Sequence, residues 1–149
     1  MKILIDADGC PVMKTAIEIA GEYEIKCVVI CDTAHEFEIE NVEVITVDKG
    51  KDSADFKLVN MVCAGDIIVT QDYGLASMCL SKKGYVINQN GMIYNEQNID
   101  SLLFSRYASK KARDAKKHIK GPKKRTPEND EKFIYQFKKL IEEIKSRSV

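Results

Sequence analysis

Asp6 and Asp8 lie one residue apart at the end of a short apolar run, ILIDAD, where both can project over a sheet edge. Asp72, in VTQD, ends a later apolar run in the matching way. Asp55 is on a helical stretch, four residues before Val59 and seven before Val62, so it shares their inward apolar face. A carboxylate on that face is costly unless something positive meets it. Four acids converging on one sheet edge also repel each other unless they share a cation. A hard divalent ion held by carboxylate oxygens and water answers both demands. Ordinary structural roles compete with this reading. Asp52 suits a helix N-cap, Asp55 complements the dipole of the same helix, Asp8 suits a cap for the helix after Pro11, and Asp66, following Gly65, suits a turn.

Two other chemistries fit parts of the same string. ILIDADGC resembles the hydrophobic-DxDG motif of haloacid-dehalogenase-type phosphatases, with Asp6 as nucleophile and Asp8 as general acid. Pro11 then opens a helix at once, leaving no room for the flap of that superfamily, and the Thr/Ser and Lys partner motifs are missing. Cys10 lies near a helix N-terminus, which lowers a thiol pKa, but two nearby aspartates raise it again. No arginine follows at the spacing of a phosphate-binding cysteine loop, so a thiol nucleophile is not expected.

The elements that position these acids alternate. Residues 2–6 read as a strand, and Pro11 opens a helix whose stripe is Val12, Ala16, Ile19 and Ala20. KCVVIC (26–31) is a continuous apolar strand of the kind buried on both faces, and VEVITV (42–47) is the next. A helix over 52–63, a strand over 66–70, a helix over 73–82 and a strand over 84–88 follow. Gln89-Asn90-Gly91 is a tight turn into a short strand around Met92–Tyr94. The pattern predicts an α/β fold of three layers, α/β/α, around a mainly parallel sheet. Chemistry in such sheets sits beyond the carboxyl ends of the strands at a topological switch point, which directs attention to Asp6, Asp8, Asp32, Asp48, Asp72 and Asn88.

Past residue 100, Ala108, Ala112, Ala115 and Ile119 form a thin apolar ridge on a lysine-rich helix that Gly121-Pro122 breaks. Thr126 caps a last helix with Pro127 at its first position, and Phe133, Phe137, Leu140, Ile141 and Ile144 give it a core-facing stripe. One domain is expected over 1–149: an acidic α/β core (1–105), a basic and flexible segment (106–125), and a docked amphipathic helix (126–147).

A formal net charge of zero conceals a dipolar chain. Residues 1–105 hold 8 Lys/Arg against 17 Asp/Glu, a net of −9, and residues 106–149 hold 15 against 6, a net of +9. That distribution points to a polyanionic partner. The 149 residues, 44% hydrophobic and 31% charged, suit an ordinary globular domain. No apolar run approaches the roughly 18–20 residues of a membrane span, and MKILIDADG is no secretory signal, so a cytoplasmic setting is expected. Five cysteines without a CxxC pair fit small buried thiols in a reducing compartment. His35 and His118 have no cysteine at zinc spacing.

DADGCPV (6–12), KGKDSAD (49–55), GDIIVTQDYGLA (65–76), INQNGMIY (87–94), Asn98-Ile99, Arg106, and GPKKRT (121–126) with Asp130 and Phe133 are carried in order along nearly the whole chain. In these the sequence resembles the YaiI/YqxD family, uncharacterised bacterial proteins whose fold is considered PIN-like. Gly9 replaces the alanine frequent in that family's DADACPV, a change expected to be harmless. The resemblance implies the PIN pattern: an Asp after the first strand, an acid on a middle helix, and an Asp in T-x-D at a later strand end. Asp6, Asp55 and Thr70-x-Asp72 match it. Asp8 is an extra acid characteristic of the family. The fourth acid falls near Asn88 or Asn90, amides here, which weakens the case for a second ion and for full nuclease activity.

PIN domains are mostly metal-dependent ribonucleases, so the resemblance implies Mg²⁺ or Mn²⁺ on Asp6, Asp55 and Asp72, partly through water. Asp8 would act from the ion's outer shell or accept a proton. Lys110, Lys111, Arg113, Lys116, Lys117, Lys120, Lys123, Lys124 and Arg125 would hold an RNA backbone through sequence-independent phosphate contacts. Tyr107 is the one aromatic beside that run, so base stacking has little support. A second reading stays open: a non-catalytic protein that binds nucleic acid or ribosomes through the basic segment, with the carboxylates around a structural ion.

Overall fold

Alternate residues of the apolar strands face opposite layers, and this alternation determines where each acid points. The structure, a computed structural model, describes residues 1–32, 42–48, 53–114 and 124–147. The strands are β1 (Ile3–Asp6), β2 (Cys27–Asp32), β3 (Glu43–Val47), β4 (Ile67–Val69), β5 (Tyr85–Ile87) and β6 (Ile93–Tyr94). The helices are α1 (Met13–Glu22), α2 (Ser53–Met61), α3 (Tyr73–Ser81), α4 (Glu96–Asp114) and α5 (Pro127–Arg147). The strands form one sheet in the order β3-β2-β1-β4-β5-β6, parallel except for β6, which pairs antiparallel with β5.

Ile3, Ile5, Cys27, Val29, Cys31, Ile67, Val69 and Ile87 pack on one face against α1 and α5, where Phe133 and Phe137 stack at 5.0 Å. Leu4, Val28, Ile30, Ile68 and Val86 pack on the other face against α2, α3 and α4. The fold is therefore a three-layer α/β/α arrangement. The chain runs outward from β1 through β2 to β3, then returns to the far side of β1 as β4. That reversal creates a switch point between β1 and β4. Asp6 and Thr70 have the parity of Leu4 and Ile68, so both project toward the α2–α3 layer.

The terminal stripe is buried as expected, from Phe133 to Ile144. The start of α1 differs from the expectation. Pro11 is not its first residue, because Cys10 N donates to Ala7 O (3.1 Å) and Gly9 takes φ +70 in a turn that postpones the helix to Met13. Val12, and not Asp8, occupies the N-cap position of this helix. Asp52, His35, His118, Ala115, Ile119 and the Gly121-Pro122 break lie outside the described residues. Residues 115–123 of the segment expected to be flexible do too. Among the described residues no helix is long and apolar enough to cross a membrane.

Candidate functional site

Asp6 ends β1, Asp72 follows β4, and Asp55 occupies the first turn of α2. Together with Asp8, Gln71 and Tyr73 they line one cavity of about 440 Å³ at the carboxyl ends of the central strands. The four acids read from the sequence are thus brought to one place.

A single hydroxyl behind this cavity ties two of its lining residues together. Thr70 Oγ1 donates to Asp6 Oδ2 (2.8 Å) and accepts from Asp72 N–H (3.1 Å). Thr70 is 2% exposed, and its carbonyl accepts from the buried phenol of Tyr94 (3.3 Å). Asp72 is the N-cap of α3, its Oδ1 accepting from Leu75 N–H (3.2 Å). Its carboxylate therefore carries a structural duty as well as lining the cavity. Asp8 Oδ1 lies 3.4 Å from Asp32 N–H, tying the loop after β1 to the end of β2.

Burial pushes the Asp6 carboxyl up to about 7. The Thr70 hydrogen bond opposes this, while the charges of Asp55, Asp8 and Asp72 add to the rise. Burial likewise raises the Cys10 thiol, with Asp6 contributing, in keeping with the expectation that Cys10 is no nucleophile. Cys63 is exposed, unlike the buried thiol expected, whereas Cys27, Cys31 and Cys79 are buried.

Other acids are placed elsewhere. Asp66 sits at the opposite sheet edge, 3% exposed, accepting from Lys2 Nζ (2.6 Å), Lys2 N–H (3.1 Å) and Cys63 N–H (2.8 Å). Asp48 is exposed. Asn88 Oδ1 accepts from Asn90 N–H and Met92 N–H (both 2.9 Å), and Asn90 Oδ1 accepts from Arg125 (2.7 Å). Both amides thus carry structural bonds near the position of the fourth acid.

The donor set suits a hard cation, since carboxylate oxygens are its preferred ligands and a buried carboxyl is relieved by one. Among the described residues no group of three or more His, Cys, Asp or Glu side chains is placed to hold a metal ion directly. An ion that keeps part of its water shell, as Mg²⁺ does, needs only one or two direct carboxylates, with the others acting through water.

Lys110, Lys111 and Arg113 lie on the last turns of α4, with side chains outside the described set. Lys116, Lys117, Lys120 and Lys123 fall outside it altogether. Lys124 and Arg125 line a second cavity beside Gln71. Sequence reasoning gave no role to Gln71, Tyr73 or Tyr94, and it used Thr70 only as a letter in T-x-D.

The sequence model described as "Uncharacterized BCR, YaiI/YqxD family" matches residues 4–143. A UPF0178 protein of Exiguobacterium sibiricum is 46% identical over 143 residues, covering 96% of this chain and 98% of that one. A UPF0178 protein of Clostridium acetobutylicum is 45% identical over 143 residues, covering 95% and 97%. One from Ruminiclostridium cellulolyticum is 51% identical over 133 residues, covering 89% and 87%. No solved structure matches the chain.

Proposed function

The chain belongs to the YaiI/YqxD family, and we propose that it is a divalent-metal-dependent nuclease of PIN-like type that hydrolyses phosphodiester bonds in RNA. The observation that carries this reading is the meeting of Asp6, Asp8, Asp55 and Asp72 around one cavity at the β1–β4 switch point. Asp6, Asp55 and Asp72 would hold Mg²⁺ or Mn²⁺ partly through water, with one or two of them as direct ligands. Such an ion supplies an activated water and stabilises charge building on the phosphodiester. The chain's own groups do the rest. Thr70 fixes the rotamer of Asp6, and the α3 cap fixes Asp72, so neither carboxylate must reorganise during reaction. Asp8, on the loop after β1, would act from the ion's outer shell or accept a proton. The basic residues from Lys110 to Arg125 would hold the RNA backbone through sequence-independent phosphate contacts.

The test is incubation with single-stranded RNA and Mn²⁺, comparing the wild type with Asp72→Asn. Asn caps a helix as well as Asp does, so α3 keeps its start while the charge is lost. Cleavage should fall by about a hundredfold or more with thermal stability nearly unchanged. Equal cleavage by both proteins would overturn the reading. RNA binding without turnover in any metal would instead assign the chain a non-catalytic binding role.

A further inference from the structure

Beside the acidic cavity lies a second one of about 650 Å³, and Gln71 lines both. Gln71 Nε2 donates to Gly9 O (2.8 Å), forming a low bridge between them. The second cavity has the opposite chemistry. Amides from Gln71, Gln89, Asn90 and Asn129 line it together with Lys124 and Arg125, and no carboxylate does so among the described residues.

The two cations have different duties. Arg125 donates to Asn90 Oδ1 (2.7 Å), to Gln89 O (2.8 Å), and through Nε and Nη2 to Asp130 Oδ1 (3.0 and 2.6 Å). Its guanidinium clasps the 89–91 turn to the start of α5 and so builds the wall. Gly91 permits the close fit, with φ +86 and Lys132 O only 2.6 Å from where a Cβ would lie. Lys124 is exposed at the same cavity, a mobile point charge. Gln89 Oε1 is sealed from solvent and has no hydrogen-bond partner among the described residues. A buried carbonyl in that state is costly, and a ligand donor would satisfy it once the side chain turns into the cavity.

We propose that this second cavity is a nucleotide subsite. It would receive the nucleoside next to the phosphate held at the acidic cavity, with Lys124 on the adjoining phosphate and the Gln89 amide on the edge of the base. The size, the amide lining and the opposite charge of the neighbouring cavities suit one strand of RNA passing across the Gln71 bridge. This inference rests on the phosphodiester reading of the acidic cavity.

The experiment measures binding of a short fluorescein-labelled single-stranded RNA to the full chain by anisotropy, in chelator and at low salt. Lys124→Ala and the near-isosteric Gln89→Met should each weaken binding by about fivefold, and the Lys124 effect should shrink as salt rises. Uridine monophosphate should displace the RNA better than inorganic phosphate does. Unchanged affinity in both variants overturns the subsite, and equal displacement by phosphate and nucleotide overturns its base-reading part. If the wild type cleaves no RNA in any metal yet both variants lose affinity, the subsite stands and the nuclease reading fails. If the wild type cleaves and neither variant changes affinity, the nuclease reading stands and the subsite fails.

Discussion

Thr70 Oγ1 donates a 2.8 Å hydrogen bond to Asp6 Oδ2, joining the end of β4 to the end of β1 across the switch point of the sheet. The same oxygen accepts from Asp72 N–H, so one buried hydroxyl sets the positions of two of the four acids. Thr70→Val keeps the shape and removes both bonds. It should destabilise the protein by roughly 1–3 kcal/mol in urea unfolding. Because the Thr70 bond holds the Asp6 pKa down, the Asp6 titration followed by carboxyl NMR should move higher still. An unchanged titration would mean that the hydroxyl is incidental.

Asp6 predicts a pH dependence of definite sign. Its folded pKa, about 7, lies above the ordinary 3.8. Between those values the folded state binds more protons than the unfolded one, so stability falls as pH rises. The contribution is complete below the ordinary value and is lost as pH passes the folded one. Asp6→Asn keeps an acceptor for Thr70 and never ionises. In chelator it should therefore be more stable than wild type near neutral pH and above, by on the order of 2 kcal/mol, with the difference vanishing in acid. Thermal melts across pH check this. A variant less stable than wild type throughout would contradict it.

Asp66 supplies a control at the far edge of the sheet. Its carboxylate joins Lys2 on β1's approach to Cys63 before β4, with its side chain 4% exposed. Asp66→Asn should cost roughly 2–3 kcal/mol, less than a fully buried pair because the Lys2 ammonium can still reach water. The rate of RNA cleavage per folded molecule should not change. A loss of cleavage larger than the loss of folded protein would remove the separation between the two edges.

Much of this was legible in the sequence because strand-to-strand alternation and helical periodicity are local signals. KILID, KCVVIC and DIIVT read as strands from their apolar runs, and the inward face of Asp55 reads from its spacing to Val59 and Val62. The stripe from Phe133 to Ile144 announced the docked helix in the same way. Pro11 misled because its preference for a first helical turn gave way to the Gly9 turn, which depends on how the loop meets Gln71. Thr70 carries no signal beyond its place in T-x-D, since its hydrogen-bonding role exists only once β1 and β4 pair. The start of α4 rests on reciprocal bonds between Asn95 and Asn98 (2.8 and 2.9 Å), a capping pair built from two amides. Arg125 looked like one more base in a basic run, and its four bonds appear only when the 89–91 turn and α5 come together.

The most direct test is Mn²⁺ binding to the wild type, Asp6→Asn and Asp55→Asn, read by electron paramagnetic resonance and by anomalous scattering from a soaked crystal. One ion is expected in the cavity lined by Asp6, Asp8, Asp55 and Asp72, bound at least about tenfold more weakly in either variant. No ion in that cavity, or equal binding by all three proteins, would contradict this expectation.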